Sequence, residues 1–204
     1  MGVYRVLDLA DSKGAYCTKL LADLGADVIK VEPPQGDPTR SIPPFVDDIP
    51  HLEKSLYFLY RHANKRGITL DMETSEGKAI LEKLVKTADV VVEAMRPGAL
   101  ARMGLGFDDL KKINPKIVFC TISGYGATGP YANLPSHGVA YDTWAGVVNP
   151  AYDEEGFCYI PEHASIGINA GPIIGAFVIL AGVIRARETG EEGESPKFVW
   201  RKHS

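Results

Sequence analysis

The chain has 204 residues, 45% of them hydrophobic and 24% charged, and its formal net charge is −4. These values predict a globular protein with one good core, and the acidic balance argues against nucleic acid as a partner, because binding it requires a basic face. The widely spaced Cys17, Cys120 and Cys158 follow no metal-ligand or disulfide pattern. Residues 1–10 lack the apolar core of a signal peptide, so we expect a reducing, cytoplasmic compartment.

The N-terminal part predicts a strand, a helix and a second strand joined by short connections. The predicted elements are a strand at Tyr4–Leu9, a helix at Ala15–Leu24 and a strand that ends near Glu32. Asp11 or Ser12 is placed to cap the helix, and Gly25 is typical of the position after a last turn. Pro33 and Pro34 end the strand because proline donates no backbone N–H. Such a unit implies parallel strands and a right-handed crossover.

The same alternation continues along the chain. Further predicted strands are Arg66–Met72, Val90–Glu93 and Lys116–Ile122. One further helix is predicted to begin at Thr74 and Ser75. The other predicted helices are Gly98–Met103, Phe107–Ile113, Val139–Val148 and Ile168–Arg187. This alternation predicts an α/β fold with a doubly wound, mostly parallel sheet over residues 1–187, followed by a loose tail at 188–204. The apolar stretch Ile168–Ile184 is shorter than the ~20 residues of a membrane-spanning helix, so it predicts a core helix and no membrane partner.

Cationic residues follow several predicted strands, although the chain is acidic overall. They are Lys13, Arg40, Lys65, Arg66, Arg96 and Arg102. Open α/β sheets bind ligands at the carboxyl ends of their strands, so this cluster predicts an anionic small molecule such as a phosphate ester. An NAD-dependent oxidoreductase is a lower alternative, because Glu32 stands where such enzymes hold a ribose. The first turn contains Gly14 alone, however, and lacks the glycine pattern that binds a pyrophosphate.

Three long blocks of sequence resemble one known family. They are LLADLGADVIKVEPPQGDPTR, NKRGITLDMETSEGKAILEKLVKTADVVVE and RPGALARMGLGFDDLKKINPKIVFCTISGYGATGPYA. They resemble the class III CoA-transferases, a group that includes formyl-CoA transferase, carnitine CoA-transferase and α-methylacyl-CoA racemase. The resemblance implies a Rossmann-like CoA-binding domain, a smaller second domain and two interlocked chains. It further implies acyl-CoA and an acceptor carboxylic acid as substrates, with no metal and no permanently bound cofactor.

The resemblance also implies a set of cofactor-binding positions. These are Arg40, Lys65 and Arg102 for the CoA phosphates, Ala94 and Met95 for backbone and side-chain contacts, and Ser123 and Gly124 in a loop near the thioester. The family chemistry uses an aspartate that attacks the thioester carbonyl, passing through a mixed anhydride to an enzyme-bound thioester. The racemase branch instead moves a proton with an acid/base pair.

The sequence departs from the family pattern at the nucleophile. The matching position falls at Gly167 or Ile168, and neither side chain can attack a thioester. The nearest acid is Glu162, beside His163, and we take this pair as catalytic candidates, the alternative being a loop acid and a loop histidine without a catalytic role. Asp142 matches a structural position of the family.

The second departure is the length of the chain, since family members continue with a small domain. We therefore expect a truncated product, a fragment or one half of a split enzyme, acting as a homodimer or with a second subunit that supplies the missing half. The main hypothesis is a CoA-transferase that moves CoA between carboxylic acids through an acyl-enzyme intermediate. The alternative is a CoA-binding subunit without turnover of its own.

Overall fold

A computed structural model describes residues 4–135, 138–160, 166–189, 193 and 197–199 of the chain. The strands are β1 (Arg5–Leu9), β2 (Asp27–Glu32), β3 (Arg66–Thr69), β4 (Val90–Glu93), β5 (Val118–Ser123), β6 (Ala151–Tyr152), β7 (Cys158–Tyr159) and β8 (Lys197–Val199). The helices are α1 (Ala15–Asp23), α2 (Leu56–Arg61), α3 (Ser75–Val85), α4 (Ala99–Arg102), α5 (Phe107–Ile113), α6 (Gly138–Trp144) and α7 (Gly167–Glu188).

A six-stranded parallel sheet forms the centre of the fold. Its strand order is β3-β2-β1-β4-β5-β8, and in the register of the central strands Leu7 pairs with both Ile29 and Val91. The chain order of the strands reverses between β1 and β4, which makes this the topological switch point of a Rossmann-like sheet. The predicted α/β, doubly wound, mostly parallel fold is therefore confirmed.

Two layers of helices cover the sheet because the central strands carry apolar residues toward both faces. On one face α1 packs over β1 and β2 and α7 packs over β5, and the two helices contact each other, with Leu21, Ile179 and Val183 buried in this layer. On the other face α3 and α5 bury Leu81 and Leu110. Strands buried on both sides are typical of parallel sheets and explain the unbroken apolar run of β4.

Among the helices of the described residues, α7 is the one that is long and apolar enough to cross a membrane. The structure buries one of its faces against α1 and β5. The other face carries exposed apolar side chains, and Phe177 is 69% exposed. The predicted core helix therefore uses only one face in the core of this chain.

Several local predictions differ from the structure. The side-chain cap expected at Asp11 or Ser12 is wrong, because Gly14 occupies the cap position and the carbonyl of Asp11 accepts from the N–H groups of Gly14 and Ala15, at 3.0 and 2.9 Å. Helix α2 was not anticipated; it begins where the hydroxyl of Ser55 accepts from the N–H of Phe58, at 3.2 Å.

Two segments expected to be irregular contain short strands. Strands β6 and β7 pair as an antiparallel hairpin in the polar stretch after α6. In the C-terminal tail, the N–H of Gly193 donates to the carbonyl of Pro115, at 2.7 Å, which brings the chain to the edge of β5. There β8 pairs in parallel and covers the open edge of the sheet.

Candidate functional site

A crevice of about 460 Å³ opens at the carboxyl ends of the strands. It lies at the switch point, since the turn after β1 (Ala10 and Asp11) and the residue Met95 after β4 both line it. The rest of its wall is mixed: Val31 and Leu70 are apolar, and Lys30, Asp37 and Asp71 are charged. We call this cavity the switch-point crevice. Its place in the sheet is the one where α/β folds bind nucleotide-containing ligands.

The first turn after β1 is closed tightly by Gly14. A Cβ atom added at this residue would lie 2.6 Å from the Cβ of Ala10 and 3.3 Å from that of Ala94. Glycine is therefore required because the start of α1 closely approaches the residues that follow β1 and β4, and not because a left-handed backbone is needed.

Buried ion pairs fix the loop that follows β2. The ammonium of Lys30 lies 2.7 Å from the Oδ2 of Asp37, and both side chains are at most 5% exposed. The guanidinium of Arg40 donates from Nε and Nη2 to the two carboxylate oxygens of Glu32, at 2.7 and 2.9 Å, and it stacks on the ring of Phe58. Burial alone would raise the pKa of Glu32, but Arg40 and the N–H of Asp37 bring it below its ordinary value. Because its carboxylate is held in this way, Glu32 is not available for a ribose, which argues against the NAD-dependent alternative.

A second buried network joins β1, α1 and the segment before β3. The ammonium of Lys65 lies 2.8 Å from the Oδ2 of Asp8 and donates to the hydroxyl of Thr18 and the carbonyl of Ala15. Burial alone would raise the pKa of Asp8, but the ammonium groups of Lys65 and Lys30 lower it below its ordinary value. The Nδ1 atom of His62 lies 3.2 Å from the Lys65 ammonium, so this imidazole is neutral and accepts there.

A second cavity, of about 200 Å³, shares Met95 with the switch-point crevice and lies beside the loop after β5. Its polar lining residues are Lys13, Arg96, Ser123, Tyr125 and Asn133. We call it the cationic pocket. The hydroxyl of Ser123 is shielded from solvent and has no hydrogen-bond partner in the described structure. An unpaired buried hydroxyl is costly, and at this pocket it is available to hydrogen-bond to a ligand.

A smaller hollow, of about 20 Å³, connects the cationic pocket with the start of α7. It shares Lys13, Ser123 and Gly124 with the pocket, and Ile168 forms part of its wall. A Cβ atom at Gly167 would lie 2.6 Å from the Oδ1 of Asp142, so that position cannot carry a side chain without rearrangement. Of the two positions that match the family aspartate, Ile168 is therefore the one compatible with a side chain, and we call this cavity the α7 hollow.

Asp142, on α6, caps the N-terminus of α7, and its carboxylate is occupied by the capping hydrogen bonds. It is 2% exposed, and its carboxylate accepts from the N–H of Gly167 at 2.7 Å and from that of Ile166 at 3.1 Å. Negative charge at a helix N-terminus is stabilising. The role is structural, in agreement with the sequence analysis.

The other predicted site residues are not gathered in one cavity. Met95, Ser123 and Gly124 line the cavities described above. None of the predicted phosphate-binding cations Arg40, Lys65 and Arg102 lines these cavities. The side chain of Lys65 is 1% exposed in its ion pair with Asp8. Arg102 is exposed on α4, next to Met103, which lines the switch-point crevice. Ala94 is fully buried behind Gly14. Glu162 and His163 lie outside the described residues, so their catalytic role stays a prediction.

Sequence reasoning missed the buried partners of these cations. The pairs Asp8–Lys65 and Lys30–Asp37 join residues from different elements, and Asp8 and Lys65 are 57 positions apart. One signal was available, since a charged residue inside an apolar strand requires a partner when it is buried. Asp8 in RVLDL and Lys30 in DVIKVE both stand in that position.

A Rossmann-like sheet with a crevice at its switch point is the architecture that nucleotide-binding α/β proteins share. The family model for CoA-transferase family III matches residues 2–195 of the chain. The chain therefore belongs to this family.

Individual relatives agree with the family assignment. The chain is 38% identical over 193 residues to a succinate–glutarate CoA-transferase of Agrobacterium fabrum, covering 92% of this chain and 48% of the relative. It is 40% identical over 132 residues to the succinyl-CoA:(R)-benzylsuccinate CoA-transferase subunit BbsE of Thauera aromatica, covering 65% of this chain and 32% of the relative. A crystal structure of Rv3272 from Mycobacterium tuberculosis shares 32% identity and a TM-score of 0.83, covering 94% of this chain and 52% of that one. The chain thus spans about half the length of the Agrobacterium fabrum relative and of Rv3272, and its match covers about a third of the Thauera aromatica subunit.

Proposed function

We propose that the chain binds acyl-CoA in the switch-point crevice and takes part in moving CoA between carboxylic acids. The observation that carries this proposal is that three neighbouring cavities share lining residues. Met95 lines both the crevice and the cationic pocket, and Ser123 and Gly124 line both that pocket and the α7 hollow at the family's nucleophile position. A long ligand such as CoA can lie along such a path, with its thioester near Ser123 and Gly124.

The exposed Arg102 is the predicted phosphate-binding cation most accessible to a ligand, since Arg40 and Lys65 are held by Glu32 and Asp8. A thermal-shift titration with CoA, acetyl-CoA and NAD tests the binding. We expect CoA and acetyl-CoA to raise the melting temperature and NAD to have no effect, because only a ligand that binds the native state stabilises it. Arg102→Gln should reduce the CoA shift, whereas Lys83→Gln, an exposed cation on α3, should not. Stabilisation by NAD alone would refute the proposal.

The source of the nucleophile divides the proposal into two cases. In the first, Glu162 forms the acyl-enzyme intermediate, since its carboxylate can perform the same attack and has a longer reach than aspartate. In the second, the chain is a CoA-binding subunit and a partner supplies the reactive carboxylate. The second case is supported by the sequence, since Gly167 and Ile168 stand at the position of the family aspartate.

A partner is also consistent with two further features. The relative from Thauera aromatica is named as a subunit of its enzyme. The outer face of α7 presents apolar residues to solvent, among them Ile174, Phe177 and Ile184, and apolar surface of this kind favours association. We propose a homodimer or a second subunit on this basis.

Mass spectrometry of the chain after exposure to acyl-CoA separates the two cases. A hydroxylamine-sensitive adduct that is lost in Glu162→Gln would establish the first case. The subunit case predicts no adduct on the wild-type chain and a new one in Ile168→Asp, which restores a carboxylate to the α7 hollow. Ile168→Asn, of the same size as aspartate but without its charge, is the matched control and should form none.

A further inference from the structure

Arg61 is a buried cation for which the described residues provide no anionic partner. It is the last residue of α2 and is 7% exposed, and no carboxylate in the described part of the chain pairs with its guanidinium. The Nη2 atom donates to the Oδ1 of Asn169, at 2.8 Å, but the Nη1 atom is shielded from solvent and has no hydrogen-bond partner among the described residues. Buried charges are normally paired, because removing a charge from water is costly. The guanidinium therefore has a donor available for an anion.

Aromatic rings surround this guanidinium where a carboxylate would be expected. Its carbon atom lies 5.2 Å from the ring centre of Tyr16 and 5.1 Å from that of Tyr57. Such cation–π contacts stabilise the charge in part, but they do not supply the oxygen acceptors that a guanidinium binds in a carboxylate. Tyr16 also stacks on Tyr60, which is 57% exposed. The cover over the cation thus consists partly of side chains that can move.

The start of α7 links this cation to the candidate reaction site. Asn169, which accepts the hydrogen bond from Arg61, directly follows Ile168 at the family's nucleophile position. Ile168 and Gly171 line the α7 hollow. The Arg61 guanidinium and the α7 hollow therefore border the same first turn of α7.

We infer that Arg61 binds the carboxylate of a small free acid between α1, α2 and α7. This inference rests on the proposed function, in which a free carboxylic acid accepts CoA, and it names the side chain that receives this carboxylate. A planar group with one negative charge matches the single unpaired cation, and Nη1 donates to one of its oxygens. A small anion reaches the guanidinium by displacing the exposed ring of Tyr60.

A thermal-shift titration of the full chain with sodium acetate tests the inference without requiring turnover. Acetamide, which has nearly the same shape but no charge, and sodium chloride at equal ionic strength are the matched probes. We expect acetate to raise the melting temperature in a saturable way, by at least about 3 °C at a tenfold excess over its dissociation constant, and the other two to have no saturable effect. In ¹⁵N NMR spectra of the wild-type chain, the amides of Arg61 and Asn169 should shift with acetate and not with acetamide.

Variants of Arg61 assign the effect to that residue. Arg61→Met removes the charge and keeps most of the side-chain volume. We expect it to melt above the wild-type chain without acetate, because an unpaired buried cation destabilises the fold, and to lose the acetate shift while binding CoA within twofold of the wild-type affinity. Arg61→Lys keeps the charge in a different shape and should retain a smaller shift. Lys83→Met, at an exposed cation of α3, is the control and should respond to acetate like the wild-type chain.

Several results would overturn the inference. They are equal effects of acetate and acetamide, an equal effect of chloride, an acetate shift that survives in Arg61→Met, or a loss of CoA binding in that variant, which would place Arg61 on CoA. The comparison of the probes on the wild-type chain decides the matter even if Arg61→Met does not fold. Failure of CoA to bind the wild-type chain would instead overturn the proposed function, so the two failures are distinguishable.

Discussion

The buried imidazole of His62 makes the stability of the protein sensitive to mild acid. The residue is 9% exposed, and its Nδ1 atom accepts from the ammonium of Lys65. Burial and the nearby charges of Lys65 and Lys30 lower the pKa of His62 from 6.5 to about 3. The Nε2 atom is buried without a hydrogen-bond partner in the described structure, so a second proton there would also lack an acceptor.

The sign and size of the effect follow from proton linkage. With the pKa lowered in the folded state, the unfolded chain binds more protons between pH 6.5 and about 3, so stability is complete above pH 6.5 and is lost as the pH falls. At pH 5, about 1.5 units below the ordinary pKa, the loss from His62 is about 2 kcal/mol at ~1.36 kcal/mol per unit. Carboxylates with lowered pKa values, such as Asp8 and Glu32, add their own loss mainly below about pH 4.5.

Urea unfolding at pH values from 8 to 5 measures this loss. We expect the wild-type chain to lose about 2 kcal/mol more than His62→Asn over this range, because asparagine keeps an acceptor for Lys65 but does not titrate. His51→Gln, at an exposed histidine, is the control and should retain the wild-type pH dependence. Equal slopes for the wild-type chain and His62→Asn would refute the assignment of a neutral, acid-sensitive imidazole.

Two further predictions concern the fold around the site. Asp8→Asn should lower the free energy of unfolding by about 3 to 5 kcal/mol, because it leaves the buried ammonium of Lys65 without a counter-ion. The double variant Asp8→Asn/Lys65→Met should lose less stability than the sum of the losses in the two single variants. If the losses measured by urea unfolding were strictly additive, the ion pair would be contradicted. Gly77→Ala should cost at least about 2 kcal/mol, because the new Cβ would lie 1.7 Å from the carbonyl oxygen of Asp71, whereas Gly67→Ala, with nothing within 4 Å, should change stability by less than about 0.5 kcal/mol. Similar melting temperatures for the two glycine variants would show that the close approach is absent.

The sequence was sufficient to predict most elements of the sheet. Strand β4 and helix α5 have the predicted bounds, because Val90–Glu93 is a short apolar run between turns and Phe107–Ile113 has helical periodicity. Helix α2 was missed, since it is only six residues long and its leucine and aromatic residues form an almost unbroken run without a polar face. Its position depends on tertiary contacts, such as the stacking of Arg40 on Phe58, that periodicity does not report.

The candidate site was predictable only to the level of the sheet edge. Parallel strands bring their carboxyl ends together, so the location of the crevice follows from strand order alone. Strand order does not reveal which cations can contact a ligand, because this depends on ion-pair partners that are distant in sequence. Lys65 precedes β3 and is held by Asp8, whereas Arg96 follows β4 and lines an open pocket.

The distribution of paired and unpaired charge explains how an acidic chain can bind an anion. The buried pairs Asp8–Lys65 and Lys30–Asp37 are close to neutral, so they add little field at the crevice. Their hydrogen bonds instead hold the turns after β1 and β2 in one geometry, which lowers the ordering cost of ligand binding. The attraction for an anion then comes from exposed cations such as Arg96 and Arg102. Dissolved salt screens these exposed charges strongly, whereas it screens the buried ion pairs much less. Ligand affinity should therefore fall as the ionic strength rises, while the fold stays intact.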